Sequence, residues 1–159
     1  LIPLSLLLMA LLFLCLAAIS LLLARQPLTA RERLFAALPF SVYFGWITVA
    51  AIANVTALLV SLGWDGFGLP EAVWASLMLV VGALLGTVTL LRLQSLAYGL
   101  VLVWAYAGIL VKHLSGAGFA GQYPGVILAA ALCEAAFAAA LLFVLFRRAR
   151  DFRLFAGDA

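Results

Sequence analysis

The sequence predicts an all-α fold: a polytopic transmembrane helix bundle of about five spanning helices, forming a single domain over residues 1–159. Three observations predict it. Hydrophobic residues make up 69% of the chain and charged residues 9%, against about 45–50% and about 25% in soluble domains. Five apolar runs approach the roughly 20 residues needed to cross a bilayer. Between those runs the cations fall almost entirely on alternate connections, as they do in chains that cross a membrane repeatedly.

The first run, Leu4–Ala24, carries no charge. It is too long for the apolar core of a cleavable signal, and no basic stretch precedes it, so it reads as a spanning helix. The chain starts at Leu1 rather than Met, and reads as part of a longer chain or as a trimmed one. Residues 25–33 (RQPLTARER) form the first connection. In it, Thr29 and Glu32 have capping-box spacing and start a short interfacial helix that leads to Pro39.

The second span covers 40–62, and the glycine-rich connection 63–71 follows it with Asp65 and Glu71. Trp64 and Trp74 flank this connection, at the depth where Trp settles in a bilayer. The third span covers 72–91 and contains Gly82 and Gly86 in GxxxG spacing, which permits close helix contact within the chain or across a homodimer. The fourth span, 96–111, is short and aromatic. Residues 112–124 form a glycine-rich connection, and the fifth span covers 125–146. Continuous apolar runs without period-2 alternation exclude a barrel, and backbone groups in lipid then have to be paired inside helices.

Five crossings place Arg25, Arg31, Arg33, Arg92, Arg147, Arg148, Arg150 and Arg153 on one side and Lys112 alone on the other. Basic residues collect on the cytoplasmic side, so the C-terminus is expected there. This distribution also accounts for the net charge of +3 as flanks of membrane spans, and no nucleic-acid partner is expected. Cys15 and Cys133 both lie inside apolar runs and read as small buried hydrophobes.

Polar residues within the spans are the candidates for chemistry. Glu134 lies about nine residues into the fifth span, some 13 Å along its axis. A carboxylate at that depth costs several kcal/mol unless paired, hydrated or protonated. It is either a functional group or a hydrogen-bonding link between helices. In the second span Tyr43 and Asn54 are three turns apart and share a face with Ile47 and Ala50, while Trp46, Ala50, Ala53 and Ala57 form a second lane. The choice there is between an aromatic-topped pocket and ordinary packing around an interhelical amide. Tyr98, Trp104 and Tyr106 give the fourth span apolar bodies with polar tips. His113, the single histidine, is a possible proton relay, although a solvated side chain is the more ordinary reading. The sequence lacks GxSxG, HExxH, Walker and GxGxxG patterns. No enzyme activity and no metal site are expected.

Residues 38–64, LPFSVYFGWITVAAIANVTALLVSLGW, and 96–113, LAYGLVLVWAYAGILVKH, resemble bacterial membrane proteins related to TspO/MBR, the tryptophan-rich sensory proteins. These stretches cover about 45 of the 159 residues, and the chain is similar to a divergent, longer type of member. The second span departs from core members, having Pro39 but no internal Pro, and Trp46 as its one Trp. The resemblance implies five transmembrane helices and a bacterial inner-membrane location. It also implies a pocket for a porphyrin, a haem-like tetrapyrrole or another apolar molecule, with a sensory or transport role. By motif it carries over Trp46, Asn54 and Trp104.

The combined expectation is an intrahelical pocket for an apolar or tetrapyrrole-like ligand, lined by Tyr43, Trp46, Asn54, Trp104 and Glu134. Two alternatives stand beside it. One is a small proton-coupled transporter with Glu134 as carrier; the other is a non-catalytic membrane partner subunit.

Overall fold

The computed structural model describes residues 2–157, with side chains described for 4–150. Five helices are long and apolar enough to cross a membrane, and no strand occurs among the described residues. They are α1 (Ile2–Ala24), α2 (Ala30–Ser61), α3 (Glu71–Leu93), α4 (Leu96–Leu114) and α5 (Pro124–Gly157). The protein is an integral membrane protein, and its surface shows why lipid is its solvent. Leu4, Leu7, Leu8, Leu11 and Leu14 of α1, and Leu128, Leu132, Leu142 and Phe143 of α5, all point outward. Exposed to water, such a surface would be one continuous apolar patch.

Every helix is longer than the span read from the sequence, two of them by more than two turns. α2 begins at Ala30 because the capping box forms in full: Thr29 Oγ1 accepts from the Glu32 amide, and Glu32 Oε2 accepts from the Thr29 amide at 2.8 Å. The short interfacial helix expected to lead to Pro39 is continuous with the second span. A π-helical turn, Arg33–Ala37, carries the helix through, with the Leu38 amide bonding to the Arg33 carbonyl five residues back. Proline lacks an N–H and its ring crowds the preceding turn; the wider π turn absorbs that mismatch. α5 runs past Phe146 to Gly157 because nothing breaks it: Arg147, Arg148 and Arg150 are good helix formers. Its 34 residues extend to about 51 Å, well beyond the roughly 30 Å hydrocarbon layer, so the arginines emerge from lipid.

The connections are short. Gln94 adopts a left-handed conformation (φ 50°) that ends α3, and the Ser95 hydroxyl accepts from the Tyr98 amide to start α4. At the opposite end, Asp65 Oδ1 accepts from the Phe67 amide at 3.0 Å. Trp64 packs edge-on against Trp74 (4.5 Å between centroids) and Phe67 (5.1 Å), pinning the α2–α3 connection.

Packing order differs from chain order. α1 lies on α2, α2 on α4, α4 on α5 and α5 on α3, while α3 touches α2 and α4 only sparsely. α1 is peripheral: Leu16 and Ser20 are buried but Cys15 is exposed. The expectation of two buried cysteines therefore holds for Cys133 alone, since one residue along a helix turns about 100° away from the packed face. The core is a run of aromatics. Phe13, Phe44 and Tyr98 link α1, α2 and α4 at 5.3 Å steps, and Tyr106 meets Phe137 of α5 edge-on at 4.9 Å.

Glycines bring these helices close. A Cβ on Gly45 would lie 2.9 Å from Val101 Cβ, and one on Gly82 would lie 2.7 Å from Ile52 Cδ1. Gly86 faces Leu102 and Phe137 in the same way, so the GxxxG pair is buried within the chain. Gly45→Ala should force α2 from α4, against an atom with no flexible end to move, and cost about 1–3 kcal/mol. Gly108 has nothing within 4 Å, so Gly108→Ala should hold or raise stability through helix propensity. Thermal unfolding of both variants in detergent checks this contrast.

Candidate functional site

A cleft of about 330 Å³ is walled by three helices. α2 contributes Thr48, Ile52 and Thr56, each one turn beyond the last. α3 contributes Ala75, Met78, Leu79 and Gly82, and α4 contributes Leu102, Tyr106, Ile109 and His113. Val126 of α5 closes the back. The cleft exists because α2 and α3 meet sparsely, while Gly82 supplies no side chain to fill the gap between Ile52 and the Tyr106 hydroxyl. Ala53 and Ala75 also line it and are exposed, so it opens sideways between α2 and α3. It lies in the half of the bundle nearer Trp64.

Few polar atoms reach this space, and each is already engaged. Thr48 Oγ1 donates to the Phe44 carbonyl (2.8 Å) and lies 3.1 Å from the Tyr98 hydroxyl. Thr56 Oγ1 donates to the Ile52 carbonyl (3.0 Å). Tyr106 Oη donates to the Leu79 carbonyl (2.7 Å), tying α4 to α3. His113 Nδ1 lies 2.8 Å from the Ile109 carbonyl. A carbonyl only accepts, so the imidazole proton sits on Nδ1 and the Nε2 lone pair is left over.

His113 is also held from the connection that follows α4. Its ring packs on Phe119 (4.9 Å) and Tyr123 (6.4 Å), and the Lys112 ammonium lies 5.4 Å from the Phe119 centroid. The histidine is thus part of an aromatic cluster at one end of the cleft, rather than a freely solvated side chain.

None of the five residues expected to form a pocket lines this cleft. Tyr43 (47% exposed), Trp46 (46%) and Trp104 (71%) face outward. Tyr43 and Asn54 lie on one face of α2, but Tyr43 is exposed, Ile47 is buried, and neither Tyr43 nor Asn54 lines the cleft. Asn54 Nδ2 donates to the Ala50 carbonyl of its own helix (3.0 Å) and bridges to no neighbour. Glu134 is half-buried on α5, and its Oε2 is enclosed without a hydrogen-bond partner among the described residues. No group of three His, Cys, Asp or Glu side chains that could hold a metal occurs among the described residues.

Sequence reasoning passed over Thr48, Ile52 and Thr56, and weighed Gly82, Tyr106 and His113 in other roles. The signal was present as helical spacing. Thr48, Ile52 and Thr56 recur every four residues, and Tyr106, Ile109 and His113 at three and four, each set on one face.

Comparison with known families decides the assignment. The profile of the TSPO-like protein family matches residues 1–145. The chain belongs to the TSPO-like family. Searches of curated proteins and of solved structures return no match. Membership fits five apolar helices with a cleft between them, and here the cleft lies among α2, α3 and α4 rather than around the aromatics of the outer faces.

An enclosed, unpaired carboxylate oxygen costs about 1–3 kcal/mol. Glu134→Leu should therefore raise the thermal midpoint in detergent, and Glu134→Gln should change it little. A fall in the leucine variant would reveal a bond that Glu134 makes in the assembled bilayer.

Proposed function

We propose that this protein binds a small apolar molecule drawn from the bilayer, in the cleft between α2, α3 and α4. The observation that carries the reading is the cleft itself. At about 330 Å³ it falls in the size range of small-molecule sites, with mostly apolar walls and a few convergent polar groups. Its sideways opening beside Ala53 and Ala75 suits a molecule that is already dissolved in lipid. Family membership supports the reading. Sensing or transport would follow from what occupancy does to the contact between α2 and α3, the sparsest wall of the site.

We place the arginine-rich end, with the C-terminus, on the cytoplasmic side by the charge rule. The cleft then lies in the opposite leaflet, closed at its end by the aromatic cluster around His113. Tyr43, Trp46 and Trp104 are lipid-facing aromatics in this reading, and the cleft replaces them as the binding surface.

A photoreactive alkyl probe carrying a diazirine tests the site. In purified protein in nanodiscs, adducts mapped by mass spectrometry should concentrate on Ile52, Met78 and Ile109. They should fall severalfold in Ala75→Phe, whose exposed position lets the ring fill the cleft without disturbing the core. Labelling spread evenly over the outward leucines of α1 and α5 would remove the proposal's basis.

A further inference from the structure

We propose a second binding site, at the arginine-rich end of the bundle and away from the cleft. A groove on the first turns of α2 holds the headgroup of an anionic phospholipid, with Arg33 on its phosphate and leucines along the top of its acyl chain.

The groove is lined by Leu28, Ala30, Arg33, Leu34 and Leu38. Ala30, Arg33 and Leu34 share a face of α2 through their three- and four-residue spacing. In a regular α-helix Leu38 would stand about 140° around the axis from Arg33. The π turn Arg33–Ala37, with the Leu38 amide on the Arg33 carbonyl, is wider and brings Leu38 back toward that row. Single π turns of this kind recur at functional sites. The far wall is Leu28, in the connection from α1. Arg33 itself holds it there, since its Nε donates to the Leu28 carbonyl at 3.2 Å.

That bond orients the guanidinium and leaves it the donors of both Nη groups. Arg33 is the one polar side chain lining the groove. The neighbouring carboxylate, Glu32, is turned onto Thr29, whose amide and hydroxyl each meet Oε2 at 2.8 Å. Further positive charge stands at the same level. The rings of Phe13 and Phe44 meet at 5.3 Å, and Arg25 follows Phe13 by about as many residues as Arg33 precedes Phe44. In antiparallel helices both arginines therefore lie about 16–18 Å from that contact, toward the same end. A guanidinium fork matches phosphate bidentately, and the surrounding arginines disfavour a headgroup that carries its own ammonium.

The leucines decide between a lipid and a free anion. The α2 span Ala30–Ser61 has 32 residues and extends about 48 Å, against about 30 Å of hydrocarbon. Its other end lies at the Trp64 interface, so the arginine end passes through the opposite headgroup layer. It carries Leu34 (55% exposed) and Leu38 (45%) into that layer. The glycerol and first methylenes of a lipid whose phosphate sits on Arg33 would cover them. A free phosphate would leave them bare.

Native mass spectrometry of the delipidated protein in detergent tests the site, with phosphatidylglycerol and phosphatidylcholine of the same acyl chains offered in equal amounts. Phosphatidylglycerol should be retained over phosphatidylcholine by about fivefold, the effect of one well-placed basic residue. Arg33→Gln should bring the ratio close to one. Arg92→Gln removes the same charge at the same end of the bundle and should leave the ratio unchanged. Leu34→Glu, at an exposed position outside the packed core, should abolish the preference by placing a carboxylate on the wall. Equal retention of the two lipids by the unaltered chain would overturn the proposal. So would equal losses in Arg33→Gln and Arg92→Gln, which would mean a diffuse basic surface instead of a site. Inorganic phosphate at millimolar concentration should not displace the bound lipid; displacement would overturn the assignment to a lipid and leave an anion site.

Discussion

In hydrocarbon no water is present to take up a stray N–H or C=O, so polar groups have to be paired within the protein. This one constraint shapes the molecule at three scales. It makes each crossing a continuous helix, so that even Pro39 is carried through by a π turn instead of a break. It turns the hydroxyls of Thr48, Thr56 and Ser76 back onto carbonyls one turn earlier in their own helices. It also makes the few cross-helix bonds, Tyr106 and Cys133 to Leu79 and Tyr98 to Thr48, the polar fasteners of an otherwise apolar assembly. Ser20 and Glu134 are the exceptions among the described residues, each with one enclosed oxygen left unpaired.

Between helices the attraction is mainly contact, because lipid tails are as apolar as the side chains they replace. Contact therefore has to be close. Gly45 against Val101, Gly86 against Leu102 and Phe137, and Gly99 against Leu90 and Leu141 provide that closeness, with two groups of aromatic rings, Phe13–Phe44–Tyr98 and Tyr106–Phe137, between them. At Gly82 the approach is incomplete. Ile52 and Tyr106 come near, but α2 and α3 meet only sparsely, and the cleft is what that loose contact leaves.

The fold was legible because its signals are local. Run length, turn residues and the eight arginines set against Lys112 each act within one helix or one connection. The site was not legible, because a polar residue in an apolar helix has several fates that local sequence does not separate. Asn54 bonds back to its own helix, Thr48 both bonds back and meets Tyr98, Tyr43 and Trp104 turn to lipid, and Tyr106 fastens two helices. Which fate applies depends on the order in which the helices pack. That order, α1–α2–α4–α5–α3, skips along the chain, and nothing in the apolar faces announces it. The two helical rows that line the cleft were visible as spacing, but their convergence was not.

The sideways opening beside Ala53 and Ala75 has a thermodynamic corollary. A ligand that enters from the leaflet leaves one oily environment for another, so the entropy gain that drives binding from water is largely absent. Occupancy then tracks the mole fraction of the ligand in the membrane and not its aqueous concentration. Without a solvent-transfer gain, discrimination among such molecules would fall to how well each one fits the walls.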